Sequence, residues 1–195
     1  MTLGHTNEAL LESLRFLELT PRSPAGHHHM GSYYTVLARR YDQAIRHDSD
    51  ALELDPAYAD SHHLMACSHL HRGEHEQAEA ATKKAIEISP SSFLYRARLA
   101  HIYAAWGKTN EARAALANLQ SEAQQKQEYF PAYHIAGIYT ALGEYDEAFK
   151  WLRQAITDQD RSWYITELPI DPTFDPLRSD PRFAELLAEM KLPKR

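Results

Sequence analysis

A period of about 34 residues in the spacing of small residues and prolines constrains this fold more than any other feature. Pro21, Pro56 and Pro90 recur at this interval to within one residue. The same interval separates three further pairs, which are Ala44 and Ala78, Ala51 and Ala85, and Gly73 and Gly107. Because a period of about 20 to 50 residues is typical of stacked copies of one small unit, the chain is predicted to be a repeat protein.

Each unit has the pattern of two helices joined by a short turn. Leu99, Ala100 and Tyr103 lie at the spacing of one helical face, Gly107 interrupts the run, and the apolar spacing resumes at Ala112. Small residues such as Ala100 and Ala112 let two helix backbones approach closely. The pattern therefore predicts an all-α fold of antiparallel helical hairpins.

The chain resembles the tetratricopeptide repeat family, whose signature is a leucine, a small residue and a tyrosine, then a glycine, spaced alanines and a closing proline. The residues that carry the resemblance are Leu99, Ala100, Tyr103, Gly107 and Ala112 in one unit, and Met65, Ala66, Gly73, Ala78, Ala85 and Pro90 in another. The resemblance covers residues 4–160 and implies a right-handed superhelix, or α-solenoid, of antiparallel hairpins.

Two departures from the period predict local changes. In the unit that begins at residue 24, Met30 and Gly31 keep the register of its start whereas Ala44 keeps the register of its end, which indicates one extra residue in the turn. The step from Ala112 to Ala148 is longer than the period by two positions. We expect this longer step to extend a helix by about half a turn.

We interpret residues 1–195 as a single domain. It is predicted to contain a lone second helix over 4–21, four repeats over 24–56, 57–90, 91–128 and 129–160, and a C-terminal cap over 161–195. The first helix carries an apolar stripe, Leu10, Leu14 and Leu17, that lacks a hairpin partner. This stripe favours a missing upstream segment, a second copy bound through the N-terminal helix, or a marginal helix, and we favour the first.

The C-terminal segment leaves the repeat and predicts a capping helix. Asp180 suits the N-cap, Pro181 suits the first turn, and the apolar face consists of Phe183, Leu186, Leu187 and Met190. The stretch "DPTFDPLRSDPRFAELL" also resembles the C-terminal repeat regions of bacterial multidomain signalling and regulatory proteins. That resemblance implies an alternative function, a sensor or regulatory region whose transcriptional, cyclase or kinase-type effector domain lies upstream.

Composition and motifs exclude several classes of function. The formal net charge is −6 and no stretch is strongly basic, so a nucleic-acid partner is not expected. The sequence lacks a signal peptide and an apolar membrane span, and its single cysteine, Cys67, precludes an intrachain disulfide. We therefore expect a cytoplasmic protein with no membrane partner. Catalytic and phosphate-binding motifs are absent, so we expect no enzyme activity and no cofactor.

In the family that this chain resembles, the first helix of each repeat lines a concave groove. The corresponding partner-binding residues are His28, Ser32, Thr35, His63, Cys67, His71, His101, Phe130, Tyr133 and Thr140. We therefore predict a non-enzymatic protein–protein interaction module that binds a protein or peptide segment in this groove. Three of these residues, His63, Cys67 and His101, are a possible metal-ligand set, but a fourth ligand is lacking and we expect no metal there.

Overall fold

The computed structural model describes residues 3–126, 132–157 and 163–190, and all regular structure in these ranges is helical. The chain divides into two compact units, residues 1–95 and 96–195. The first unit contains α1 (Leu3–Leu19), α2 (Pro24–Ser32), a π-helix (Tyr33–Leu37), α3 (Tyr41–Leu54), α4 (Ala59–His71) and α5 (His75–Ile88). Helix α6 (Phe93–Ala105) begins at the end of this unit and continues into the second one.

The second unit continues with α7 (Thr109–Lys126), α8 (Ala132–Ala141) and α9 (Tyr145–Thr157), followed by two 3₁₀ helices (Trp163–Glu167 and Pro172–Leu177) and α10 (Pro181–Glu189). None of the helices in the described ranges is long and apolar enough to cross a membrane. The prediction of an all-α hairpin fold is confirmed, whereas the interpretation of residues 1–195 as one domain stays a prediction.

The hairpins pack through alanines whose side chains are completely buried. In the first unit these are Ala44 and Ala51 on α3, Ala66 on α4, and Ala78 and Ala85 on α5. Their short side chains let the backbones of paired helices come close, as the repeat pattern predicts. The recurring alanines are therefore helix–helix contacts.

The turns inside the hairpins use a left-handed residue at the same register in every unit. Gly73, Gly107 and Gly143 have φ angles of 76°, 79° and 76°. The first hairpin consists of α2, the π-helix and α3. Its residue at this place is Arg39, which lies one period before Gly73 and has a φ angle of 52°. Glycine adopts this conformation without the steric cost that a side chain imposes, so Arg39 is a strained exception.

The extra residue predicted in the first hairpin is accommodated by the π-helix. The amide of Ala38 donates to the carbonyl of Tyr33 at 3.1 Å, which is the wider bond of a π-turn. A π-turn holds one more residue than an α-turn, so the helix gains a residue without shifting the turn at Arg39. The sequence indicated the insertion but not its form.

The non-repeating C-terminal segment caps the second unit. Leu168, Phe174, Leu177, Phe183 and Leu186 are buried in a cluster with residues of α8 and α9. The cap is a continuation of the hairpin core, because its apolar side chains cover the face that a further repeat would cover.

Side-chain caps position the ends of this segment. The side chain of Asp180 accepts a hydrogen bond from the amide of Arg182 at 2.9 Å, and Pro181 occupies the first turn of α10. This arrangement confirms the predicted start of the capping helix. The side chain of Asp171 similarly accepts from the amide of Thr173 at 2.8 Å, which begins the second 3₁₀ helix.

Helix α7 is longer than the expected half-turn extension. It has 18 residues, compared with 14 in α5. The difference is about one turn of helix. The spacing from Ala112 to Ala148 also includes the next helix, and α8 has 10 residues whereas α6 has 13, so a longer α7 adds only two positions to the step.

Candidate functional site

The predicted partner-binding residues of the first unit lie on α2, on the π-helix and on α4, the first helices of their hairpins. They differ in accessibility. Thr35, His63 and Cys67 are 2%, 6% and 5% exposed. His28, Ser32 and His71 are half-buried. Only the second group offers atoms to a partner without local rearrangement.

The buried members of this set make contacts within α4 and between neighbouring hairpins. Oγ1 of Thr35 and Oγ of Ser68 are 2.9 Å apart and share a hydrogen bond between the π-helix and α4. Sγ of Cys67 lies 3.8 Å from Nε2 of His63, one helical turn away. The ring of His63 also lies 5.4 Å, centroid to centroid, from the ring of Tyr95. These contacts hold the repeats in register, so burial here follows from packing.

The half-buried histidines of the first unit rest against tyrosine rings. His71 stacks on Tyr41 with centroids 5.3 Å apart and an interplanar angle of 23°. His28 meets the ring of Tyr58 edge to face at 5.5 Å. Tyrosine and histidine each combine an apolar ring with a polar edge, so these two pairs provide surfaces for apolar contact and for hydrogen bonding.

A buried carboxylate, which the sequence analysis missed, lies beneath this surface. Asp48 is completely buried, and its register corresponds to Thr82, Leu116 and Leu152 in the other hairpins. Among the described residues, neither carboxylate oxygen has a well-aligned hydrogen-bond partner, and Nδ1 of His28 is 3.8 Å away. Burial raises the pKa of Asp48 to about 6. An aspartate at a position that is threonine or leucine in the other hairpins was the signal available in the sequence.

In the second unit, those predicted residues that the structure describes are buried. His101 is 8% exposed, and Nη1 of Arg98 donates to its Nδ1 at 2.9 Å. Thr140 is 3% exposed and donates to the carbonyl of Ala136 in its own helix at 2.8 Å. Phe130, the remaining aromatic residue of the prediction, lies outside the described residues.

Tyr133 is covered by the C-terminal cap. Its side chain is 3% exposed, and its hydroxyl donates to Oδ2 of Asp171 at 2.7 Å. Its ring meets Phe174 edge to face at a centroid distance of 5.1 Å. These two contacts of Tyr133 lie within the second unit, and its role as a partner-binding residue stays a prediction.

Tyr133 belongs to a group of charged and polar side chains, which we call the cap cluster. It consists of Arg98, Tyr133, His134, Glu167 and Asp171. Burial and the Arg98 guanidinium lower the pKa of His134 to about 3, so its imidazole is neutral at pH 7. Burial and the nearby Asp171 raise the pKa of Glu167 to about 8. The sequence did not indicate this cluster, because two of its members come from the segment that does not repeat.

Helix α1 presents an apolar surface. Leu11 and Leu19 are 65% and 73% exposed, and Leu14 is 38% exposed. Two residues of the predicted stripe, Leu10 and Leu17, are half-buried instead. The stripe is therefore partly covered, and the exposed face is displaced towards Leu11.

A compact set of potential metal ligands lies in the first hairpin. One ligand atom each from His27, His47 and Asp50 lies within 4.8 Å of the other two. The candidate set from the sequence belongs to different units, since His63 and Cys67 lie in the first unit and His101 in the second. The expectation that this set binds no metal stays a prediction.

Comparison with known proteins gives the family of the chain. The tetratricopeptide repeat family model matches residues 29–166. The human and mouse proteins called cell division cycle protein 16 homolog are each 24% identical over 155 residues, which are 79% of this chain and 24% of those proteins. The chain thus spans about a quarter of the length of these curated relatives.

Solved structures with the same fold include two that cover nearly the whole chain. Cut9, in the crystal structure of the APC/C hetero-tetramer Cut9–Hcn1, has a TM-score of 0.63 at 19% identity, over 96% of this chain and 36% of Cut9. TTC0263, a thermophilic tetratricopeptide repeat protein of Thermus thermophilus, has a TM-score of 0.65 at 18% identity, over 95% and 92% of the two chains. At these identities the likeness concerns the fold.

Proposed function

This chain belongs to the tetratricopeptide repeat family, and we propose that it is a non-enzymatic interaction module that binds a partner segment on the inner faces of its first helices. The observation that carries the proposal is the pair of accessible ring contacts in the first unit, His28 with Tyr58 and His71 with Tyr41. Aromatic residues dominate the anchor points of protein interfaces because they bury a large area at low entropic cost.

The chemistry of this surface favours a particular kind of segment. The inner-face residues of the first unit are mostly neutral, since they are histidine, serine, threonine and cysteine. The exception is Asp60, at the start of α4, which is exposed and accepts a hydrogen bond from Tyr95 at 2.6 Å. We therefore propose an extended or helical partner segment held by one or two apolar side chains and by hydrogen bonds to imidazole edges. A segment that relies on charge is not favoured.

A second candidate function is the regulatory region of a larger signalling protein. The observation that favours it is the apolar face of α1, where Leu11 and Leu19 are mostly exposed. An upstream effector domain of the same polypeptide is one candidate to cover this face, and a second copy of the chain is another. In both cases the partner contacts α1 instead of the inner faces of α2 and α4.

The two candidates are distinguished by selecting peptides on the purified chain from a displayed library and measuring their affinity by calorimetry. We expect His28→Ala and His71→Ala to weaken binding by about tenfold each. Glu87→Ala is the matched control, because Glu87 is exposed on α5 and pairs with Lys84 on the same helix. Binding that resists both histidine changes but is lost in Leu11→Glu would favour the α1 surface.

A further inference from the structure

One edge of the first hairpin brings together two imidazoles and a carboxylate. His27 lies on α2, and His47 and Asp50 lie on α3. Nδ1 of His27 is 3.5 Å from Oδ2 of Asp50, and the rings of His27 and His47 have centroids 6.0 Å apart. Because residues three apart on a helix share a face, His47 and Asp50 point to the same place, and the antiparallel partner helix adds His27.

The two imidazoles have nitrogen atoms available for a ligand. Nδ1 of His27 and Nδ1 of His47 are buried, and neither has a hydrogen-bond partner in this part of the structure. Buried polar atoms are nearly always satisfied, so two unsatisfied nitrogens in imidazole rings that are grouped with one carboxylate point to a missing group. Asp50 is 52% exposed, which leaves its carboxylate free to rotate towards the imidazoles.

The π-helix positions one of these rings. Tyr34 stacks on His47 with centroids 5.5 Å apart and an interplanar angle of 13°. Tyr34 lies in the segment that accommodates the extra residue, Tyr33–Leu37. The stack restricts the orientation of the His47 ring. Side chains that bind a metal directly are commonly held in place by neighbouring residues in this way.

We propose that His27, His47 and Asp50 form a site for a divalent transition metal of the zinc class, bridging α2 and α3. Two nitrogens and one oxygen are the donors that zinc accepts, and three protein ligands leave a fourth position for water or a partner group. Magnesium and calcium prefer oxygen donors throughout, so the two imidazoles disfavour them.

The geometry requires only a small adjustment. Ligands in a tetrahedral site with bonds of about 2.0–2.1 Å lie about 3.3 Å from one another. The distance of 3.5 Å from Nδ1 of His27 to Oδ2 of Asp50 already matches, and no two ligand atoms of the set are more than 4.8 Å apart. We expect rotation of the exposed Asp50 side chain to close the remaining gap. The bound metal then cross-links the two helices of the first hairpin.

The test uses the whole chain, freed of metal by a chelator, with Zn²⁺ alone measured by calorimetry and Co²⁺ alone followed by visible absorption. We expect one metal per chain, the visible absorption of Co²⁺ with nitrogen and oxygen ligands, and a higher melting temperature with Zn²⁺. His27→Ala, His47→Ala and Asp50→Asn should each weaken Zn²⁺ binding by about tenfold or more. His62→Ala is the control, because the ring of His62, on α4, is bonded to the carbonyl of Pro56.

Two outcomes overturn the proposal. In the first, the three variants bind Zn²⁺ as the wild type does, which assigns the metal to other histidines. In the second, Co²⁺ gives the near-ultraviolet charge-transfer band of a thiolate ligand and Cys67→Ser removes the binding, which assigns the metal to the His63 and Cys67 pair. Asp50→Asn keeps the test informative even if a histidine variant misfolds, since Asp50 is exposed and its variant should melt like the metal-free wild type.

Discussion

A Cβ atom placed on Gly31 lies 2.5 Å from Oδ2 of Asp48, so α2 and α3 fit together at this point only because residue 31 has no side chain. In the next hairpin the corresponding residues are Ala66 and Thr82, both completely buried. The Thr82 hydroxyl is satisfied by the carbonyl of Ala78 in its own helix. The first hairpin thus has a glycine and an aspartate where the next hairpin has an alanine and a threonine.

This pairing predicts that Gly31→Ala destabilises the chain by about 2 kcal/mol, because overpacking forces the Asp48 carboxylate to move within a closed core. In an Asp48→Thr background the same change should cost much less, since the pair then matches that of the next hairpin. Urea unfolding of the wild type, both single variants and the double variant, in chelator, measures the coupling free energy. Equal costs in the two backgrounds would show that the contact does not decide the fit.

The left-handed turn gives a second prediction, in which two substitutions change the free energy of unfolding in opposite directions. Gly107→Ala should lower the free energy of unfolding by about 1 kcal/mol, because a side chain at a φ angle of 79° is strained. Arg39→Gly should raise it by a smaller amount, since glycine relieves the strain at 52° but adds entropy to the unfolded chain. Thermal unfolding of both variants checks the signs. A loss of stability in Arg39→Gly would mean that the contacts of the arginine outweigh the strain.

The cap cluster predicts a fall in stability as the pH rises towards 8. Folding raises the pKa of Glu167 from 4.5 to about 8, so its protonated form favours the folded state at low pH, and this contribution is lost as the pH rises between those two values. His134, whose folded-state pKa is about 3, acts in the opposite sense but only below its ordinary value of 6.5. The effect of Glu167 is therefore clearest between about pH 6.5 and 8.

Denaturant unfolding at several pH values tests this effect. Glu167→Gln should remove most of the slope between about pH 6.5 and 8, because glutamine does not ionise. Glu185→Gln is the control, since Glu185 is an exposed residue of α10 whose side chain is 63% accessible. A slope that persists in Glu167→Gln and matches that of the control would assign the pH dependence to groups outside the cap cluster.

The sequence predicted the features that follow from local rules and missed those that depend on distant packing. The period of the alanines and of Gly73, Gly107 and Gly143 was enough to predict the hairpins and their turns, because each repeat has the same local pattern. The burial of Tyr133 under Phe174 was not predictable in this way, since the cap does not repeat. Asp48 was missed because the search for the period used the residues that recur, whereas Asp48 differs from the corresponding residues of the other hairpins.

The last prediction concerns the stability of α1. This helix packs against α2 but leaves Leu11, Leu14 and Leu19 exposed. A helix that buries only part of its apolar surface has a lower free energy of local opening than one that packs on several sides. We expect the amides of residues 8–19 to exchange with deuterium faster than those of α5, which packs within a complete hairpin.

Mass spectrometry of peptides from the exchanged chain measures this difference, and sedimentation at several concentrations must accompany it. Protection of residues 8–19 that rises with protein concentration would indicate that a second copy covers the exposed leucines, and Leu11→Glu should then abolish both the protection and the association. Protection equal to that of α5 in a monomer at every concentration would contradict the prediction. It would mean that the contacts of α1 with α2 are sufficient to hold this helix without a partner.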